Sequence, residues 1–102
     1  GPPRVLQVVI SNLVRNACNY TDEGRIEVFV EADRVRVCDT GIGMSAEALS
    51  RAFEPFYRAE PSRPLGTGLG LSIVRRLCDR FGWQVTLASE PGKGTEAVVV
   101  FR

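Results

Sequence analysis

The sequence predicts an α/β two-layer sandwich, in which one antiparallel or mixed sheet is packed on one side by helices. Two observations favour this class. Two long segments carry apolar residues at helical spacing. Four short segments are predicted strands in two hairpin pairs, and in the first pair apolar and polar residues alternate. The length of 102 residues suits a single domain with its own core, so we expect residues 1–102 to fold as one unit.

The first predicted helix extends from Arg4 to about Tyr20. Pro3 precedes it, where a missing backbone N–H costs nothing. Residues 21–24 contain Asp and Gly and predict a turn after the helix. The apolar residues at helical spacing are Leu6, Val9, Ile10, Leu13, Ala17 and Tyr20.

Two alternating segments follow, at Arg25–Ala32 and Arg34–Asp39, with Asp33 as a tight connection. They predict a hairpin whose first strand has Ile26, Val28 and Val30 on one face. A second pair of strands is predicted at Val85–Ala88 and Thr95–Phe101, on either side of the turn at 91–94.

A short helix is predicted over Ala46–Ala52, with Ser45 as its N-cap. Residues 53–65 hold three prolines and no apolar period, which indicates a loop. A second long helix then extends to about Phe81, and Gly82 is a natural stop for it. Its predicted core stripe is Ile73, Val74, Leu77, Cys78 and Phe81.

Composition excludes several classes of function. The net charge of +1 argues against nucleic-acid binding by bulk charge and against a polybasic membrane module. The longest apolar run, Ala97–Phe101, is far shorter than the roughly 20 residues of a membrane span. With no histidine, the chain has no Ser-His-Asp triad and no imidazole to accept a phosphate. Cys18, Cys38 and Cys78 lack CxxC spacing and predict buried, reduced thiols in a cytoplasmic setting.

Two groups of polar residues interrupt this regular pattern. Asn12, Asn16 and Tyr20 share one helix face, and an amide oxygen is a hard, neutral ligand suited to Mg²⁺. A buried amide pair would explain the same pattern. Asp39 ends a strand and is followed by Gly41 and Gly43, so its carboxylate can face a pocket, although a plain turn has the same sequence.

The glycines of Gly66–Gly70 expose backbone N–H groups where the second long helix begins. This arrangement, at the positive end of the helix dipole, favours an anion site, and a flexible loop is the alternative. Gly92-Lys93-Gly94-Thr95 is not a Walker loop, because it lacks GK[ST] and opens a strand. Gly66–Gly70 follows a loop instead of a strand, which disfavours a dinucleotide fold.

Five short motifs occur in order along the chain. Their order and spacing resemble the N box, first glycine box, F box, second glycine box and final glycine motif of bacterial sensor histidine kinases. The resemblance covers nearly the whole chain and implies the catalytic and ATP-binding domain of the GHKL superfamily, with the Bergerat ATP-binding fold. The motifs are Asn12–Ala17, Asp39–Met44, Phe53–Arg58, Gly66–Leu71 and Gly92–Thr95.

The resemblance implies a role for each matching residue. Asn16 ligates Mg²⁺ near Asn12, and Asp39 accepts a hydrogen bond from the exocyclic amine of adenine at position 6, where guanine has an acceptor. Arg58 reaches the γ-phosphate from a mobile ATP lid at about 44–65, with Arg63 as a weaker candidate. Tyr20 packs at the adenine, and Thr95 supports a water between Asp39 and the base. The full set of implied nucleotide-binding residues is Asn12, Asn16, Tyr20, Asp39, Gly41, Ile42, Gly43, Arg58, Gly66, Thr67, Gly68, Leu69, Gly70, Leu71 and Thr95.

Three functions remain open under this resemblance: a histidine kinase catalytic domain, a GHKL-type ATPase, and a degenerate domain that only binds nucleotide. Hydrolysing relatives carry a glutamate as general base where this chain has Asn12, and an amide cannot take a proton at neutral pH. The sequence thus favours the kinase. One departure is Asn19, where many members carry a phosphate-binding Lys or Arg.

The implied cofactors are ATP and Mg²⁺. The implied partners are the kinase's own dimerisation and phosphoacceptor domain, which this chain lacks, and a response regulator through the full-length kinase. We expect no nucleic acid, no membrane contact by this domain, and a monomer in isolation. The implied location is the cytoplasmic part of an inner-membrane sensor kinase.

Overall fold

A computed structural model of the chain describes residues 2–58 and 69–101. The order of elements confirms the predicted α/β sandwich, and six of the seven elements have predicted bounds within two residues of those observed. The helices are α1 (Pro2–Asn19), α2 (Ala46–Arg51) and α3 (Gly70–Phe81), and the strands are β1 (Ile26–Val30), β2 (Arg34–Asp39), β3 (Gln84–Glu90) and β4 (Gly94–Val100).

The four strands form one sheet in the order β1-β2-β4-β3, and each neighbouring pair is antiparallel. Of the two sheet types that the sequence left open, the described strands therefore form the antiparallel one. Strand β4 lies between β2 and β3, so that Asp39 is opposite Thr95, and Thr95 is opposite Ser89. This register decides which side chains meet at the functional site.

The core lies between the inner face of the sheet and the helices. Helix α1 contributes Val9, Leu13 and Ala17, which confirms the centre of its predicted stripe. Full burial of such a Val or Leu contributes about 1.5–3 kcal/mol. The buried apolar residues of the other elements are Val35, Val37, Met44, Ala48, Ala52, Leu71, Val74, Cys78, Val85, Ala97 and Val99.

The outer face of the sheet is charged. Arg36 pairs with Glu31 at 3.0 Å and with Glu96 at 3.2 Å, and its guanidinium lies 4.5 Å from the ring centroid of Phe29. Such exposed ion pairs contribute little to stability. Their presence shows that this face is solvated, so the helices within residues 2–58 and 69–101 cover one side of the sheet.

Two predicted helix ends are confirmed, the start of α2 and the end of α3. The Ser45 hydroxyl accepts a hydrogen bond from the Ala48 backbone N–H at 3.1 Å and so caps α2. Helix α3 ends at Gly82, whose φ of 71° is left-handed, and the Trp83 N–H then bonds to the Cys78 carbonyl oxygen at 2.8 Å. None of the helices within residues 2–58 and 69–101 has the length and hydropathy of a membrane span.

Burial differs from expectation on two elements, β1 and α3. Val28 and Val30 share a face as predicted, yet Val30 is 70% exposed because β1 is an edge strand with little helix over it. Ile73 and Phe81 of α3 are also exposed, and Leu71 is buried in their place. Helical periodicity predicted which side of α3 faces the core, but not which residues at the edges of that side are buried.

The prediction of three buried thiols was wrong for two cysteines. Cys18 is exposed, because it directly follows Ala17 in α1 and points away from the core, and Cys38 is half-buried on the outer face of β2. Cys78 is buried as predicted, and burial raises its thiol pKa to about 11. All three are free thiols.

Candidate functional site

Three polar side chains lie side by side at one end of the inner sheet face. The register places Thr95 of β4 between Asp39 of β2 and Ser89 of β3, and the alternation of each strand turns all three towards the helices. We call Asp39, Thr95 and Ser89 the polar row. It is the polar end of an otherwise apolar face.

Among the described residues, Asp39 is the charged residue that is buried, with 8% of its surface exposed. Its Oδ1 accepts a hydrogen bond from the Gly41 backbone N–H at 2.9 Å. Within residues 2–58 and 69–101, no other donor reaches this carboxylate. A buried carboxylate with remaining acceptor capacity favours a ligand that donates an N–H to it.

The segment Thr40–Met44, which we call the glycine loop, is held from two sides. Its Ile42 N–H bonds to the Tyr20 carbonyl oxygen at the end of α1 at 2.9 Å, and the Ile42 carbonyl oxygen accepts from the Gly92 N–H at 2.7 Å. Gly43 has φ 70°, and a Cβ there would overlap the Glu90 carbonyl oxygen. The loop is therefore packed between α1 and the β3–β4 turn, and glycine is required at its closest approach.

The hydroxyl of Ser89 joins the glycine loop to the polar row. Its Oγ accepts from the Met44 N–H at 2.8 Å, donates to the Gly94 carbonyl oxygen at 2.8 Å, and lies 2.8 Å from Thr95 Oγ1. Sequence reasoning missed Ser89 because the predicted strand ended at Ala88. The only available signal was the hairpin register, which would have put Ser89 opposite Thr95.

The asparagines of α1 lie beside the start of α3. Asn12 donates its side-chain N–H to the Val8 carbonyl oxygen at 2.9 Å, and its Oδ1 faces Gly70, where an added Cβ would lie 3.4 Å away. The half-buried Asn16 side chain makes no hydrogen bond to any residue that the structure describes. One turn on, Tyr20 is half-buried and binds the glycine loop through its carbonyl oxygen.

The start of α3 is the third side of the site. Leu69 precedes the helix, Gly70 opens it, and Leu71 is buried. The first N–H groups of a helix lack partners within it, and the helix dipole makes that end attractive to anions. The candidate phosphate-binding residues Gly66, Thr67 and Gly68 lie outside the described residues, as does Arg63.

Part of the predicted lid is folded. Met44, Ala48 and Ala52 belong to the core, so α2 is packed on the domain. Glu54 accepts two hydrogen bonds of 3.1 Å from Arg51, whose guanidinium also lies 4.4 Å from the Tyr57 ring centroid. Arg58 follows as a half-buried residue.

A divalent cation would find few charged ligands in this site. No group of three His, Cys, Asp or Glu residues with metal-binding geometry occurs among the described residues. Asn16 supplies a half-buried amide oxygen without a partner in that part of the chain. This donor fits Mg²⁺, which usually keeps several waters and takes its remaining ligands from substrate phosphates.

Comparison with known proteins gives consistent matches. A family model described as "Histidine kinase-, DNA gyrase B-, and HSP90-like ATPase" matches residues 1–102. The sensor histidine kinase RcsC of Escherichia coli K12 is 41% identical over 106 residues, covering 97% of this chain and 11% of RcsC. The signal transduction histidine-protein kinase BarA of the same strain is 37% identical, covering 93% of this chain and 12% of BarA.

Among solved structures, full-length ShkA in complex with AMPPNP superposes with a TM-score of 0.75 at 34% identity. The match covers 93% of this chain and 20% of the ShkA chain. The chain thus spans roughly a tenth of the curated relatives and corresponds to one part of much longer proteins.

Proposed function

The chain belongs to the family of histidine kinase-, DNA gyrase B- and HSP90-like ATPases, and on that premise we propose that it binds Mg²⁺-ATP and donates the γ-phosphate to a histidine of a separate dimerisation and phosphoacceptor domain. The observation that carries the proposal is the buried Asp39 carboxylate, which keeps acceptor capacity beside a loop packed against α1. The AMPPNP complex of ShkA supports the choice of nucleotide.

Asp39 would select the base. Adenine carries an amino group at position 6, which can donate to the carboxylate, whereas guanine carries a carbonyl oxygen there. A wrong partner on a buried charged group costs on the order of 1–3 kcal/mol or more. Gly41, Ile42 and Gly43 would approach the base, Tyr20 would pack near it, and Thr95 would support a water between Asp39 and the base.

The phosphates would lie between the asparagines of α1 and the start of α3. Asn16 would ligate Mg²⁺, whose charge offsets that of the phosphates. Its side-chain amide has no hydrogen-bond partner within residues 2–58 and 69–101, which supports this role. Asn12 would lie beside the phosphates, since the Asn12 Oδ1 faces Gly70 at the start of α3. The backbone of Gly66–Leu71 would bind the phosphates through N–H groups.

Arg58 would contact the γ-phosphate of bound ATP. We confine the proposed lid to residues after Ala52, because α2 and the residues beside it are part of the core.

Asn12 argues against a hydrolytic ATPase. Its amide has no basic site for a proton at neutral pH, and its N–H group is bound to the Val8 carbonyl oxygen. A water molecule near the γ-phosphate would therefore lack a general base at this position. Transfer to a histidine supplied by another domain needs no such base.

The names of the relatives support a place in a longer signalling protein. We propose that the parent chain supplies the phosphoacceptor histidine, passes the phosphate to a response regulator, and is a sensor whose cytoplasmic part contains this domain. The domain itself would be a monomer in isolation.

Nucleotide titration with and without Mg²⁺ tests the proposal. We expect ATP to bind in the micromolar to millimolar range, corresponding to about 4–8 kcal/mol. Asp39→Ala and Asn16→Ala should weaken binding, whereas Glu27→Gln on the solvated outer face should not. Unchanged binding in both site variants would refute the site. Phosphate transfer is then followed after addition of the phosphoacceptor domain.

A further inference from the structure

Ser89 has no part in the function proposed so far, although it is at the centre of the hydrogen bonds around the proposed binding site for the adenine base, which we call the base site. Its hydroxyl lies 2.8 Å from each of three groups: the Met44 N–H, the Gly94 carbonyl oxygen and Thr95 Oγ1. A serine hydroxyl has one hydrogen and two lone pairs, so these contacts use its full capacity.

The two backbone partners fix the direction of the third bond. A backbone N–H can only donate, so Ser89 Oγ accepts from Met44. A carbonyl oxygen can only accept, so Ser89 gives its one hydrogen to Gly94. The remaining lone pair faces Thr95, and Thr95 must therefore donate its hydroxyl hydrogen to Ser89.

The polar row then presents only acceptors to the base site. The hydrogen of Thr95 is turned towards Ser89, which leaves lone pairs on Thr95 Oγ1, and the Asp39 carboxylate is an acceptor as well. We infer that Ser89 is a specificity-determining positioning residue, which acts through Thr95 to make the site select a 6-amino purine nucleotide over a 6-oxo purine nucleotide. This inference rests on the proposed function, and it adds a second determinant to Asp39.

Removal of the Ser89 hydroxyl would release the hydrogen of Thr95. Thr95 could then rotate and donate to a 6-oxo group, directly or through a water, so the site would discriminate less. Loss of the bond to Met44 would also loosen the glycine loop. That second effect would weaken the binding of both kinds of nucleotide alike. The ratio of the two affinities therefore distinguishes the loss of discrimination from the loosening of the loop.

The test measures dissociation constants of Mg²⁺-ATP and Mg²⁺-ITP for the parent chain and four variants. ITP differs from ATP in its 6-oxo group and in the hydrogen on the adjacent ring nitrogen. Unlike GTP, ITP has no 2-amino group, so the comparison with ATP is confined to this edge of the base. The variants are Ser89→Ala, Ser89→Thr, Thr95→Val and Ser89→Ala/Thr95→Val. Ser89→Cys replaces Ser89→Ala if the latter does not fold, because a thiol is a weak donor and acceptor.

We expect Ser89→Ala to lower the ratio of the ITP to the ATP dissociation constant by about 3- to 10-fold, the range of one net hydrogen bond. Ser89→Thr should keep the parent ratio. In the Thr95→Val background, Ser89→Ala should leave the ratio unchanged, because the hydrogen in question belongs to Thr95.

Equal weakening of ATP and ITP by Ser89→Ala would overturn the inference and leave Ser89 a structural residue. So would an unchanged ratio, or a change that persists in the Thr95→Val background. In each of these cases the parent still binds ATP and the proposed function stands. A parent chain that bound neither nucleotide would overturn the proposed function and this inference together.

Discussion

The side-chain oxygens of Ser89 and Thr95 lie 2.8 Å apart on neighbouring strands, and Thr95 is in turn opposite Asp39. Residues in one row of a sheet are fixed relative to each other by the backbone ladder on both sides. The part of the polar row that we propose to face the base is therefore built on strands, while the proposed phosphate-binding residues are on α1 and at the start of α3.

Asp39→Asn should weaken ATP binding by about 10-fold or more, because the neutral amide is a poorer acceptor for the 6-amino group. The amide oxygen can still accept from the Gly41 N–H, so the fold should remain intact. Calorimetric titration measures the affinity, and the thermal unfolding midpoint is the control. Full ATP affinity in this variant would remove Asp39 from base recognition.

Asn16→Ala should abolish the dependence of ATP affinity on Mg²⁺, since the amide oxygen is the proposed protein ligand of the ion. The comparison is made between titrations in Mg²⁺ and in EDTA. Cys18→Ser, an exposed change two positions further along α1, is the matched control. If Asn16→Ala kept the same gain from Mg²⁺ as the parent, another group would have to bind the ion.

Gly94→Ala should destabilise the fold by on the order of 3 kcal/mol or more. Gly94 has φ 109°, and an added Cβ would overlap the carbonyl oxygen of Asp39. Gly92 also has a positive φ, of 80°, but a Cβ added there would have no atom within 4 Å. Gly92→Ala should therefore cost only about 1–2 kcal/mol. Urea unfolding measures both, and equal losses would contradict the packing argument.

Stability should fall as the pH rises from about 9 to 11. Burial raises the pKa of Cys78 to about 11 from an ordinary value of 9.0, so in this window the unfolded chain loses a proton that the folded chain keeps. Cys78→Ala should be less stable at neutral pH and should show a flatter decline across the window. Parallel unfolding curves against pH would show that Cys78 is not the group responsible.

Arg58→Ala should weaken the binding of ATP more than that of ADP, because the proposed charge-assisted contact is to the γ-phosphate. Transfer to an added phosphoacceptor domain should fall further than ATP affinity does. Arg51→Ala is a comparison within the same segment, since Arg51 binds Glu54. Equal losses of ATP and ADP binding, with unchanged transfer per bound ATP, would exclude Arg58.

The sequence predicted the elements well because local signals specify them. Ser45 and Gly82 mark helix ends through their own side chain or backbone, and the alternation of β2 identifies its buried face. Strand order carries no such local signal. The placement of β4 between β2 and β3 depends on pairing between distant segments, so it became visible only in the structure.

The same limit applies to the site. Asp39 and Asn16 stood out because polar residues interrupt an apolar pattern, and the structure brings Asp39 next to Thr95 as part of one row. Ser89 is inconspicuous in sequence, since serine beside a turn is common. Its importance arises from three contacts to separate parts of the chain, which no periodicity reveals.

The central position of β4 has a consequence for how the domain forms. Strands β2 and β3 are each paired with β4, which follows both in the chain. Pairing of β2 with β4 closes a long loop that includes α2 and α3, and such non-local pairing is slow compared with helix formation. Asp39 and Ser89 can therefore come into register only after β4 has joined the sheet, so assembly of the base site should be a late event in folding.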